Sequence, residues 1–199
     1  MTTCHTAARR LHHIIVSFLL ATTALGCGTS SEPPATSPAA VGVVSPSPVN
    51  AFTLTSPAAA DGGTMPVDYT CDGRGVSFPL AWSHAPSGTR EFAVLMTTLP
   101  GDGTTKWNWV LYGIPPTVTG LAENSRGIGT AGVGSDGPLA GYQSPCSQGP
   151  GLKLYTFTVY ALSASPVVSG QVTGAILGNA IKPVTIGSAS LTVGYTRPR

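Results

Sequence analysis

The stretch Gly141–Leu162, GYQSPCSQGPGLKLYTFTVYAL, decides the fold. Its first half, Gly141 to Gly151, is a turn-rich loop with one tyrosine, one cysteine, two prolines and three glycines. Its second half, Leu152 to Leu162, alternates and is built from Tyr, Thr, Phe and Val, the composition of a half-buried strand. Odd positions put Lys153, Tyr155, Phe157, Val159 and Ala161 on one face. A stiff strand therefore delivers one ammonium group at its start, beside a loop that carries a phenol. Groups on a loop held by a packed strand are a common way to build a binding site. A hairpin edge with a solvated lysine is the plainer reading of the same residues.

Outward from this stretch, strand-like segments recur between turn signals. Phe52–Thr55, Val67–Thr70, Leu80–Trp82, Glu91–Thr98, Lys106–Ile114 and Ser188–Tyr195 read as strands. Asp61-Gly62-Gly63, Gly101-Asp102-Gly103 and Pro115-Pro116 punctuate them. On plain alternation, Trp107 and Trp109 share one face of their strand, with Asn108 and Val110 on the other. Gly174–Lys182 reads as one short helix. Gly120–Gly141 is long, glycine-rich and unpatterned, which favours a functional or lining loop over a linker. Many short strands with little helix predict a mainly β, antiparallel sandwich or barrel.

The ends of the chain carry different information. Residues 1–26 have the form of a signal peptide, with Arg9 and Arg10 ahead of an apolar run, Ile14 to Leu25, too short to span a bilayer as a stable helix. The run closes on Ala24-Leu25-Gly26-Cys27, small residues before a cysteine, as in a bacterial lipobox. Lipidation of Cys27 is the expectation; plain secretion and an uncleaved anchor are the alternatives. Residues 27–50 are Ser, Pro, Ala, Thr and Val with almost no charge, a composition that buries no core and suits a disordered tether. The domain proper is residues 51–199. From Cys27 onward eight basic residues face eight acidic ones. With no cluster of Lys or Arg, a nucleic-acid partner is not expected. Of the four cysteines, Cys4 leaves with the signal and Cys27 takes the lipid. Cys71 and Cys146 remain, in a compartment where pairing is the default, so a disulfide between them is expected. Two separate buried thiols are the alternative.

Six segments, in order over about residues 52–197, resemble the phosphatidylethanolamine-binding protein family in its bacterial Raf-kinase-inhibitor-like branch. They are Asp68-Tyr69-Thr70-Cys71-Asp72-Gly73, Ser77-Phe78-Pro79-Leu80-Ala81-Trp82, Asn108-Trp109-Val110-Leu111-Tyr112-Gly113-Ile114-Pro115, Gly141–Cys146, Tyr155–Leu162 and Gly194-Tyr195-Thr196-Arg197. The resemblance implies a Greek-key β-sandwich with one or two short helices and one small anion pocket at one end. It also implies where this chain departs from the pattern. The family's Asp-Pro-Asp-x-Pro run is replaced by Thr97-Thr98-Leu99-Pro100-Gly101, which removes two carboxylates and makes the pocket less negative. One pocket histidine is Asn108 and the other is Lys153, while Tyr142 keeps its match. Asn108, Tyr142, Lys153 and Thr97 are thus the candidate ligand-binding residues.

Other chemistries find little support in the residues. His84 is the one histidine after the signal peptide, and no Gly-x-Ser-x-Gly elbow accompanies it. No His/Cys/carboxylate cluster suggests a metal, and no fingerprint suggests a nucleotide cofactor. A non-enzymatic role, with no cofactor, is the expectation. Two function classes remain. One is a module held at the membrane of the bacterial cell envelope that binds a phosphate-like anion or phospholipid head group. The other is a protein-binding regulator, akin to a kinase or protease inhibitor, acting on an envelope partner.

Overall fold

The computed structural model describes residues 51–198 except Ser147 and Gly149. The expected signal peptide, Cys27 and the tether lie outside the described residues.

Eight strands form two antiparallel sheets. The small sheet runs β1 (Thr53–Thr55), β2 (Leu80–Ser83), β5 (Gly120–Leu121) in that order. The large one has the order β6 (Thr130–Ala131), β4 (Lys106–Ile114), β3 (Glu91–Thr98), β7 (Lys153–Leu162), β8 (Thr185–Tyr195). The chain thus leaves the β3–β4 hairpin and returns to place β7 on the far side of β3, the crossing of a Greek key. One helix, α1 (Gly174–Ile181), lies against the outer face of the large sheet.

The alternation of β7 is realised as read. Tyr155, Phe157, Val159 and Ala161 are buried in the core between the sheets. There they meet Leu54, Leu80, Trp82 and Leu121 of the small sheet and Phe92, Val94 and Met96 of β3. The opposite face of β7 pairs hydroxyls across to β8, Thr156 with Thr192 and Thr158 with Ser190, each at 2.9 Å. A second, smaller core gathers Ala93, Leu95, Val110, Leu162, Leu177 and Ile181 beneath α1. Thr173 caps that helix, its Oγ1 accepting from the Ile176 amide.

Two expectations need correction. Val67–Thr70 is not a strand: Val67–Tyr69 is a single 3-10 turn. Pro66 presets the bend, and Thr70 closes it by donating both its amide (2.9 Å) and its Oγ1 (2.8 Å) to the Val67 carbonyl. The second correction concerns β4. Met96 pairs with Trp109 but its neighbour Thr97 pairs with Trp107, so Asn108 is an extra residue in a β-bulge. The bulge turns the two tryptophans to opposite faces. Trp109 enters the inter-sheet core, and Trp107 packs under α1, where a Cβ on Gly174 would overlap its ring.

Candidate functional site

Antiparallel register brings the end of β3 and the starts of β4 and β7 to one edge of the large sheet. Thr98 stands opposite Tyr155 on one side and Lys106 on the other, and Lys153 stands opposite Tyr195. A cavity of about 700 Å³ opens at this edge. Its walls include Thr98, Pro100, Asp102, Lys106, Asn108, Asp136, Tyr142, Gln143, Cys146, Lys153 and Tyr155. Three of the four residues picked from sequence therefore border one cavity. The fourth does not. Thr97 carries the parity of Ala93 and Leu95, which face α1, and Thr98 takes the cavity position instead.

The bulge at Asn108 shapes the floor. Its carbonyl accepts from the Gln143 amide at 2.7 Å, and the Trp107 carbonyl accepts from the Ser135 amide at 2.8 Å. The bulged strand thereby holds the loop that returns toward β7. Asn108 is only 2% exposed. Its Nδ2 donates to the Gln143 carbonyl at 3.3 Å, which fixes the amide orientation and leaves Oδ1 without a partner among the described residues. One N–H of Nδ2 remains for another acceptor. Gln143 ties the same loop together: its Oε1 accepts from the Asp136 amide, and its Nε2 donates to the Gly137 and Leu139 carbonyls.

Tyr142 is set by its ring and its hydroxyl together. The ring meets Trp109 edge-on at 5.4 Å. The hydroxyl donates to the Tyr69 carbonyl at 2.8 Å. Burial, then the neighbouring Tyr155 and Tyr69, push the phenol well above its ordinary range, so it stays protonated. With its proton committed, Tyr142 offers a ligand only an oxygen lone pair. A role as a second donor, the natural reading of a pocket tyrosine, is not available in this arrangement.

Charge in the cavity also differs from expectation. The two acids missing from the Thr97–Gly101 run are offset by Asp102, the next residue of the same loop, and by Asp136 from another. Both are engaged. Asp102 accepts from the Thr104 amide at 3.0 Å and its Oγ1 at 2.8 Å, bonds that hold its carboxyl below the usual range. Asp136 lies 3.5 Å from Lys106 Nζ. Lys153 makes no ion pair among the described residues. Asp102 and Lys106 follow the Thr97–Gly101 run in the same β3–β4 hairpin, whereas Asp136 arrives from a separate loop.

The far wall is a covalent and ionic lock. Cys71 and Cys146 are joined, with Cα atoms 5.2 Å apart, and the Cys71 amide donates to the Pro145 carbonyl at 3.0 Å. Next to it, Asp72 accepts from Tyr195 (2.8 Å) and Arg197 (2.9 Å), which hold its carboxyl low. Arg74 bridges Asp68 and Glu123. His84 does not line the cavity: it leaves β2 in left-handed backbone (φ 56°), 3.1 Å from Ser83 Oγ. Among the described residues no three His, Cys, Asp or Glu side chains gather as a metal site.

The disulfide-tied loop, bulged β4 and β7 thus meet at one end of a two-sheet sandwich. The phosphatidylethanolamine-binding protein family model matches residues 55–196. The chain belongs to that family. A lipoprotein candidate of Mycobacterium tuberculosis, LppC, is 33% identical over 170 residues, spanning 83% of this chain and 84% of its own length. A phosphatidylethanolamine-binding protein homolog from Chlamydia trachomatis superposes with a TM-score of 0.69 at 28% identity, over 75% of this chain and 99% of its own. Escherichia coli YbcL, described as a new member of the mammalian PEBP family, gives 0.67 at 27%, over 74% and 99%. The fold expected from the six segments is thus the fold found.

Proposed function

We propose that this chain is a non-catalytic binding module of the bacterial cell envelope, anchored through lipidated Cys27, whose cavity takes a phosphate-like anion or a phospholipid head group. The observation that carries this reading is Lys153, a cation without an ion-pair partner among the described residues, facing the same cavity as Asn108 and Tyr142. Lys153 supplies the charge. The free N–H of Asn108 Nδ2 directs one anionic oxygen. The Tyr142 oxygen accepts from a protonated oxygen or an ammonium group on the ligand. The family's name and the relative named as a lipoprotein candidate support the same reading.

Calorimetric titration with phosphoethanolamine tests the site. A hydrogen bond to a charged group contributes roughly 1.5–3 kcal/mol, so Lys153→Met is expected to weaken binding about ten- to a hundredfold. Lys182→Met is the control, since Lys182 Nζ is bonded to Asn179 Oδ1 beyond α1. Equal affinity of Lys153→Met and the parent removes Lys153 from the site. Membrane fractionation tests the anchor: Cys27→Ser is expected to move the protein from the membrane to the soluble fraction, and unchanged partition refutes lipidation at Cys27.

A further inference from the structure

The four exposed leucines among the described residues each lie next to a residue that lines this cavity: Leu99 (67% exposed), Leu139 (79%), Leu152 (64%) and Leu154 (56%). Leu99 lies between the lining residues Thr98 and Pro100. Leu152 and Leu154 flank Lys153, and alternation turns them outward as Lys153 and Tyr155 turn in. Both lie over Gly194, where an added Cβ would meet Leu152 Cδ1 at 2.7 Å and Leu154 Cδ2 at 3.7 Å. The Leu139 carbonyl accepts from the lining Gln143 at 3.2 Å. Single exposed apolar side chains are ordinary on a protein surface, but a set grouped around one polar opening marks an interaction surface.

We propose that this leucine rim docks the cavity mouth face-down on a phospholipid bilayer. The chemistry is layered as a bilayer is, with a charged pocket for the head group inside an apolar rim for the interface around it. Whatever covers this face must bring Lys153 a negative charge, since burying it unpaired is costly. A bilayer brings phosphates to that depth. The proposal rests on the head-group reading for what fills the cavity, and on the leucines for the docking itself.

Chain length permits the orientation. The domain begins at the end opposite the mouth, since the Phe52 ring lies 6.2 Å from Phe92, which pairs with Ala161 near the end of β7. The 10 residues of β7 span roughly 33 Å. The 23 residues from 28 to 50 reach at most roughly 80 Å. A chain acylated at Cys27 can therefore run back past the domain while the mouth touches the same membrane.

The test uses residues 51–199, which carry neither Cys27 nor the apolar run. This part stands alone, because 99% of the independently solved Escherichia coli chain is covered by 74% of this one. It is sedimented with vesicles of phosphatidylcholine, phosphatidylethanolamine and phosphatidylglycerol. Binding is expected, and the combined Leu99→Ser, Leu139→Ser, Leu152→Ser, Leu154→Ser variant is expected to lose at least about tenfold in vesicle affinity with its melting temperature and phosphoethanolamine heat retained. The pair Leu99→Ser with Leu139→Ser, both outside the strands, gives a smaller loss in the same direction. Parent protein that stays in the supernatant overturns the proposal, as does a combined variant that sediments like the parent. Leucine-dependent dimers in sedimentation velocity without vesicles, with no vesicle binding, overturn it in favour of a contact between copies. Leucine-dependent vesicle binding by a parent that gives no phosphoethanolamine heat upholds the docking and removes the head-group reading instead.

Discussion

The paired substitution Cys71→Ala with Cys146→Ala is expected to lower the unfolding free energy by about 4 kcal/mol. The bond joins residues 75 apart in sequence, and the chain entropy it removes from the unfolded state grows with the length of the closed loop. Its position gives it a second effect. Cys146 lines the cavity, and Cys71 follows the 3-10 turn whose Tyr69 carbonyl holds the Tyr142 hydroxyl. Without the bond, the Tyr142–Cys146 loop keeps hydrogen bonds to its surroundings, among them Cys71 amide to Pro145, Gln143 amide to Asn108, and Tyr142 to Tyr69. The loop should therefore loosen without leaving, and affinity for phosphoethanolamine should fall less steeply than stability. Urea unfolding of the parent with and without reductant, beside the double variant, checks this. Three coincident curves would show that the bond contributes nothing to stability.

How much of this was legible in the sequence depends on what each reading required. β3 and β4 match the boundaries expected of them because EFAVLMTT and KWNWVLYGI are dense in strand formers and bounded by turns. Val67–Thr70 was misread because four residues of mixed polarity fit a strand or a tight turn equally well. What decides between them is the capture of the Val67 carbonyl by Thr70, a local bond with no periodic signature. The bulge at Asn108 was invisible for a related reason. Period-two reasoning assumes an unbroken pleat, and one extra residue inverts every inference on its far side. That single break misplaced Trp107. Thr97 failed differently: its parity within β3 already excluded it from the inward face, and position in the run was followed instead of alternation.

The cavity shows the same division. Lys153 was reachable because alternation and family spacing both point to it, and Asn108 through family spacing alone. The commitment of Tyr142's proton to Tyr69 was not, since that bond joins residues 73 apart. Nor was Asp136, which brings negative charge from a distant loop. A sequence shows which charges are absent from a run. Only the packing of the loops shows which charges arrive from elsewhere.

Phe78→Ala is expected to cost roughly 3–5 kcal/mol of stability, the range for emptying an aromatic site in a packed core. Phe78 is fully buried, stacked on Phe157 of β7 at 4.8 Å and 16°, with the Tyr69 ring edge-on to it at 4.8 Å. It stands between the central strand and the 3-10 turn, so its loss leaves a void on both sides. The turn is then the wall freer to shift, since β7 is fixed by ladders to β3 and β8 on both sides. Tyr69 should settle toward the void and draw its carbonyl away from the Tyr142 hydroxyl. Phosphoethanolamine affinity is therefore expected to fall although Phe78 does not line the cavity. Phe78→Leu keeps much of the volume and should cost clearly less in both measurements. Thermal unfolding and titration of the two variants decide the matter. A loss below about 1 kcal/mol for Phe78→Ala, or unchanged binding beside a large loss of stability, would show that the ring fills space without supporting the site.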